Sequence, residues 1–478
     1  MQTDTLQRRI AAPYGPVAAI STTTLAFLAI TFVVALSVIA GIAEGTAGVF
    51  VFCAAWVVIG LVLCIAATSD RRDRAVMYSL FGAGLFIRSI FAYAAHYAVT
   101  VLHKPFFASD SQTYYTISFA PLTRDLLSGF NDVGFLVYNH FATWLSMELG
   151  NPSALANMQV AVVSGAAIAP IAFALSTALG FRPVAKTVSV LLLLDPVLIA
   201  YSSCLLRDAV ISMLGFYAIL LAVRSHAAPL RRRIFPLAAA FAFLVAIAVL
   251  RRASAVFFAG AIVAFLAMAS LPKGVRARIR AQRRNIMIAI VVTAATLYGA
   301  THSTFLRQVG SAAFQINMEQ RLEESEQSSI SAAAARRGLG PMLVSGVFLN
   351  FTTPFPFQRV FEEMGTTVLH WLLAIGALVR HLELMWFFIG FWFVLRNSDR
   401  NGIVCGVVPV LFAIASTLTF GDQVRYMSEH ATPLMAILIA YGFQRSKPYR
   451  TVWMLIDFIG IGALYAAYAV VKRYVFGG

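Results

Sequence analysis

Apolar residues run along this chain in long blocks separated by short charged connections. The blocks fall at 22–43, 47–67, 76–101, 156–178, 184–202, 208–224, 232–250, 253–271, 286–302, 383–397, 402–420, 429–444 and 451–471. A block of about 20 such residues is the length of a helix that crosses a hydrocarbon core of about 30 Å. The pattern predicts an all-α polytopic integral membrane protein with about 11–13 transmembrane helices. The ten-residue alternation of an outer-membrane barrel is absent. A single transmembrane domain is expected over 1–478, with two long connections on one face, 102–155 and 303–382.

Within 102–155, LVYNHFATWLSMEL is too polar to span and reads as an amphipathic interfacial helix. The 303–382 connection opens with the polar helical stretch FQINMEQRLEESEQSSISAAAARRG. Its prolines 354 and 356 then exclude a regular helix. The following VFEEMGTTVLHWLLAIGALV is read as a re-entrant or interfacial helix, because a further span would carry the basic 445–450 connection to the wrong side.

Composition agrees with the pattern: 60% of the 478 residues are hydrophobic and 12% charged, against about 25% charged in soluble domains. The formal net charge is +16. In this setting it does not point to nucleic acid, because the basic residues gather in short connections: SDRRDR, RSHAAPLRRR, KGVRARIRAQRR and RSKPYR. All four fall on one side together with Arg8 and Arg9. The excess of Lys and Arg makes that side cytoplasmic, with the N-terminus on it, and suits anionic headgroups. The expected location is the bacterial inner membrane, with multi-pass topology. The first apolar block reads as an anchor rather than a cleaved signal. Cys53, Cys64, Cys204 and Cys405 lie in or beside apolar blocks without metal or disulfide spacing, so they read as small lipophilic side chains.

The long connections and the chemistry-bearing residues share the non-cytoplasmic side. Asp110 in SDSQTYY has two compatible readings: a helix cap formed with Ser109, or a general base at the lip of an apolar cavity. Arg207 and Asp208 in SSCLLRDAV read either as a neutralised pair at a helix end or as an anion-binding cation with a second acid. Arg251 and Arg252 interrupt a long apolar run, and their guanidinium forks suit phosphate when they do not snorkel to headgroups. In GDQVRYMSEH, Arg425 and Glu429 share a helix face, and Arg425 with Tyr426 would clamp an anion. Asp195, before Pro196, faces either polar packing or a substrate path. Tyr114, His140 and Trp144 are candidate sugar contacts, although lone histidines such as His140 and His370 are more often interfacial. A divalent metal stays open: Glu362 and Glu363 are suitable ligands, but no DxD or HxH spacing accompanies them. No phosphate loop, HExxH or GxSxG motif is present, so the cytoplasmic side carries no nucleotide signature.

Four stretches resemble the multi-span glycosyltransferases of the GT-C superfamily and the bacterial exopolysaccharide or O-antigen polymerases of similar layout. They are SDSQTYY, GFLVYNHFATWLSMELGNPSALANMQVAVVSG, LLLLDPVLIAYSSCLLRDAVISML and RYMSEHATPLMAILIAYG. The acid here follows the third apolar block rather than the first, and Ser111 stands where a second acid is usual. The resemblance implies that Asp110 is the catalytic base and that Arg425 contacts a lipid phosphate. The expected function is transfer from a polyprenyl-phosphate-linked sugar donor to a glycan or lipid acceptor at the outer leaflet, in surface polysaccharide or glycoconjugate assembly. Two alternatives stand beside it: a polysaccharide polymerase, and a transporter or flippase of lipid-linked saccharides.

Overall fold

The computed structural model describes residues 22–68, 70–104, 109–123, 133–227, 229–269, 347, 350–351, 368–419 and 430–476. Their fold is all-α and polytopic. The first three helices are α1 (Thr22–Glu44), α2 (Gly48–Ala66) and α3 (Arg71–Thr100). Two shorter ones follow, α4 (Ser109–Ile117) and α5 (Val133–Glu148). The central group is α6 (Ala154–Ala178), α7 (Ala185–Leu194), α8 (Pro196–Ser202), α9 (Asp208–Ala227), α10 (Leu230–Leu250) and α11 (Arg252–Ala269). The last group is α12 (Val368–Arg396), α13 (Arg400–Thr419), α14 (Thr432–Arg445) and α15 (Arg450–Phe476). Among the described residues, nine helices are long and apolar enough to cross a membrane. The count is ten if the bent pair formed by 182–194 and 196–202 makes one span. The candidate block 286–302 lies outside the described residues.

Helix α6 is the axis. Almost every residue from Ala154 to Ser176 is buried, and α3, α2, α9 and α7 pack around it. Small residues permit this: ten of the twenty-five positions of α6 are alanine or glycine, and small side chains let helix backbones approach in a membrane. The same device joins α12 to α14. A Cβ on Gly390 would collide with the Leu438 carbonyl, and one on Gly442 with the Trp386 carbonyl. At the periphery α1, α10 and α15 keep long apolar faces outward: Phe27, Ile42, Phe235, Phe241 and Phe458 are all more than 60% exposed. In water such a surface would be an aggregation liability; in lipid it is the expected exterior. The four cysteines are free and buried, as their apolar settings predicted.

The bundle has two chemically distinct ends. One is arginine-rich: Arg182 bridges Asp70 and Asp73, and Asn401 Nδ2 donates to the Leu179 carbonyl. At the other end the turn before α2 pairs with the turn after α5 through Thr46 and Gly150, and His96 Nε2 contacts the Glu44 carboxylate. Helix α5 is amphipathic in an inverted sense. It buries Asn139, His140, Thr143 and Ser146 and turns Val137, Phe141 and Trp144 outward.

One boundary differs from the expectation. The 303–382 connection was expected to end just before a span at 383–397, yet α12 is continuous from Val368 to Arg396. Residues 368–382 are therefore part of a membrane-length helix rather than a separate re-entrant or interfacial element. Arg380, His381 and Glu383 break the apolar run in the sequence. In the fold Arg380 is met by Asp195 and Thr432, and His381 Nδ1 lies 2.8 Å from the Tyr465 hydroxyl.

Candidate functional site

Four helix ends converge away from the arginine-rich end. Asp208 begins α9, and Arg251 follows the last turn of α10 as its C-cap, its backbone N–H donating to the Ile247 carbonyl. The two helices are neighbours running in opposite directions. The positive end of one dipole therefore carries the carboxylate, and the negative end of the other carries the guanidinium, the favourable sign at both. Arg251 Nη1 lies 3.4 Å from Asp208 Oδ1. Asp208 has no solvent exposure and Arg251 is 7% exposed.

Arg207, beside Asp208 in the chain, is also buried. Its Nη1 donates to the Tyr114 hydroxyl, and its guanidinium lies 5.7 Å from the centre of that ring. Tyr114 is held from the other side by Phe135, edge-on at 5.0 Å. Asp110 is in the first turn of α4, four residues before Tyr114, so the two share a helix face, and Asp110 is half-buried. Beyond Arg251, Ser254 Oγ lies 2.9 Å from His430 Nε2, and Phe258 and Phe412 stack on the imidazole. These contacts form a polar seam from Tyr114 and Arg207 to Asp208 and Arg251, with Asp110 on the Tyr114 helix at one edge and the Ser254–His430 pair at the other.

A second buried group adjoins the seam. Asp195 caps α8, accepting from the Val197 and Leu198 backbone N–H at 2.8 Å and 3.2 Å. Pro196 at the first helical position supplies the break, and the two half-helices meet at 54°. Arg380 Nη2 is 3.8 Å from Asp195 Oδ2 and donates to Thr432 Oγ1 at 3.2 Å. Among the described residues Arg88 is the largest fully buried side chain; its Nε donates to Ser202 Oγ at 3.0 Å. Arg88 Nη1, with the hydroxyls of Ser89 and Ser164 and the Gln159 side-chain oxygen, has no hydrogen-bond partner among the described protein atoms.

Both groups lie at similar depth. Arg88 is seventeen residues from Arg71 along α3, Asp208 sixteen from Arg224 along α9, and Arg380 sixteen from Arg396 along α12. At a rise of 1.5 Å per residue this is about 24–26 Å from the arginine-rich end. From that level α3 and α12 each continue for twelve residues, about 18 Å further, whereas α9, α11 and α14 begin there. The ionic layer is therefore the floor beneath taller helices, at the end to which α4 and α5 belong.

The remaining sequence candidates fall elsewhere. Arg252 is exposed on the first turn of α11 and is not among the residues of the seam. His140 is engaged by backbone: Nδ1 lies 2.9 Å from the Leu136 carbonyl and Nε2 2.8 Å from that of Ala120. It ties α5 to the turn after α4. Trp144 is half exposed on the opposite, outward face of α5. Arg425, Tyr426, Glu429, Glu362 and Glu363 lie outside the described residues.

Sequence reasoning missed Arg88, Arg380 and Glu383. The available signal was charge inside an apolar helix, which is costly and therefore informative. No protein-family model matches the chain, and neither curated proteins nor solved structures yield a match.

Proposed function

We propose that this multi-pass membrane protein is a glycosyltransferase acting on a polyprenyl-phosphate-linked sugar at the non-cytoplasmic face of the bacterial inner membrane, with its N-terminus in the cytoplasm. The observation that carries the reading is the pair of buried guanidinium groups, Arg207 and Arg251, flanking Asp208 beside the helix of Asp110. Lipid-linked phosphate needs cations placed at membrane depth, and arginine forks bind it through paired charge-assisted bonds. The arginine-rich end then faces the cytoplasm by the positive-inside tendency.

In the proposed reaction Asp110 accepts the proton of an acceptor hydroxyl as that oxygen bonds to the anomeric carbon. The anomeric carbon–oxygen bond to phosphate breaks, and the lipid phosphate leaves with the electron pair. Arg207 and Arg251 stabilise its developing charge, the role that preorganised donors play in a water-poor site. Tyr114 holds the Arg207 guanidinium. Arg425, also expected to stabilise the departing phosphate, lies outside the described residues, and among the described arginines the role is assigned to Arg207 and Arg251.

A transporter of lipid-linked saccharides is the second reading, favoured by one observation: Asp195 and Arg380 meet at a broken helix within the bundle, an arrangement that transporters use at their substrate sites. The two separate in cells carrying Asp110→Asn with normal membrane insertion. A glycosyltransferase loses polymer and accumulates lipid-linked units at the outer leaflet. A transporter accumulates them at the inner leaflet, or, where Asp110 is not on its path, is unaffected.

A further inference from the structure

We infer that the arginine-rich end carries a binding site for one anionic phospholipid, in a groove between α12 and α15. Its volume is about 890 Å³, within the range of small-ligand sites. Leu384, Phe388 and Trp392 of α12 form one wall, and Trp453, Ile461 and Leu464 of α15 the other. The lining is mostly apolar, interrupted by His381 and Asp457, and is cationic where Arg396 and Arg445 stand with Tyr449. This is the sequence of environments a phospholipid presents: acyl chains, an interface suited to aromatic rings, then a charged headgroup.

A second, more polar cavity of about 480 Å³ opens beside that cationic part, lined by Arg445, Lys447, Gln444 and Tyr441. Arg445 lines both, with its guanidinium 5.3 Å from the Tyr441 ring centre. Tail groove and headgroup cavity therefore share a cation. Two carboxylates also line the region. Asp399 accepts from the Gly402 backbone N–H at 3.2 Å, and Asp457, two turns into α15, lines the groove and is buried. Arg396, Arg445 and Lys447 against Asp399 leave the headgroup end positive, which selects an anionic over a zwitterionic lipid.

Gly460 gives a way to block the groove. It lines the wall, and a Cβ there would meet no atom within 4 Å. A side chain at this position would fill the space destined for an acyl chain without displacing protein. The site is on the opposite end from the Asp110 seam, so it does not depend on the glycosyltransferase reading. Its role is to hold α15, which otherwise touches the bundle sparingly.

The test is native mass spectrometry of the purified full chain with added phosphatidylglycerol or phosphatidylcholine. The wild type should retain one phosphatidylglycerol in preference to phosphatidylcholine. Arg396→Gln with Arg445→Gln should weaken phosphatidylglycerol binding about thirtyfold, since each headgroup-level cation contributes a factor of about five. Gly460→Trp, which changes no charge, should abolish the retained lipid while the protein's unfolding temperature in detergent stays within the range of the charge variant. Equal retention of both lipids by the wild type, meaning annular lipid only, overturns the proposal. So does undiminished phosphatidylglycerol binding in Gly460→Trp.

Discussion

The pairing of Asp208 with Arg251 can be tested as an energy. At 3.4 Å and an effective dielectric constant of about 20, the Coulomb attraction is about 5 kcal/mol. Desolvation of both groups offsets much of it, so the pair adds little net stability relative to an apolar replacement. Removing one partner is different, because it strands the other charge. Arg251→Met and Asp208→Asn should each destabilise the protein by about 3–5 kcal/mol. The double variant should lose much less than the sum, with a coupling of about 2–3 kcal/mol. Equilibrium unfolding in mixed micelles, followed by circular dichroism on all four proteins, reads the cycle. Additivity within about 0.5 kcal/mol would refute the pairing and with it the joining of α9 and α10 at the polar seam.

Three further outcomes are expected. Gly390→Ala drives a methyl into the Leu438 carbonyl; it should cost about 1–3 kcal/mol of stability, measured in the same micelles, whereas Gly462→Ala, with open space around it, should be neutral. Ser202→Ala removes the acceptor 3.0 Å from buried Arg88 Nε; it should destabilise by about 1.5–3 kcal/mol, the range for bonds to charged groups, and Ser202→Thr should restore part of the loss. Asp70 accepts from the Arg72 backbone N–H and lies near Arg182, which together hold its carboxyl below the usual carboxylate range. A depressed folded value means that this contribution is full above about pH 4 and disappears as pH falls through the folded value. Hydrogen exchange at the start of α3 should accelerate on acidification, and Asp70→Asn should remove that dependence.

The spans were legible because a bilayer imposes one simple requirement, a long apolar helix, and blocks such as 22–43 and 47–67 meet it without competing signals. The start of α12 was not legible. Arg380, His381 and Glu383 shorten the apparent apolar run, and the partners that make Arg380 and His381 tolerable in a helix of membrane length come from other helices. Arg88 was hidden for the opposite reason: one charge hardly alters the hydropathy of a thirty-residue helix, although it fixes where α3, α6 and α8 meet. The break at Asp195 could be read from its proline; its partner Arg380, 185 residues further on, could not. Within the site, the shared face of Asp110 and Tyr114 follows from helical spacing. The pairing of Tyr114 with Arg207 joins positions 93 apart in sequence, and nothing local encodes it. His140 and Trp144 were chosen for their aromatic character alone; helical spacing did not show that α5 turns His140 inward, onto the Leu136 and Ala120 carbonyls, and Trp144 outward.

The most direct measurement of the central claim is sugar transfer in proteoliposomes containing the purified chain and a radiolabelled polyprenyl-phosphate-linked sugar, with product formation and free lipid phosphate counted together. The account predicts transfer by the wild type. Asp110→Asn should retain donor binding but lose turnover by about 10²–10⁴-fold, the usual contribution of a general base, and Arg207→Gln should lose both affinity and turnover. Wild-type rates in Asp110→Asn, or donor binding indifferent to Arg207, would contradict it.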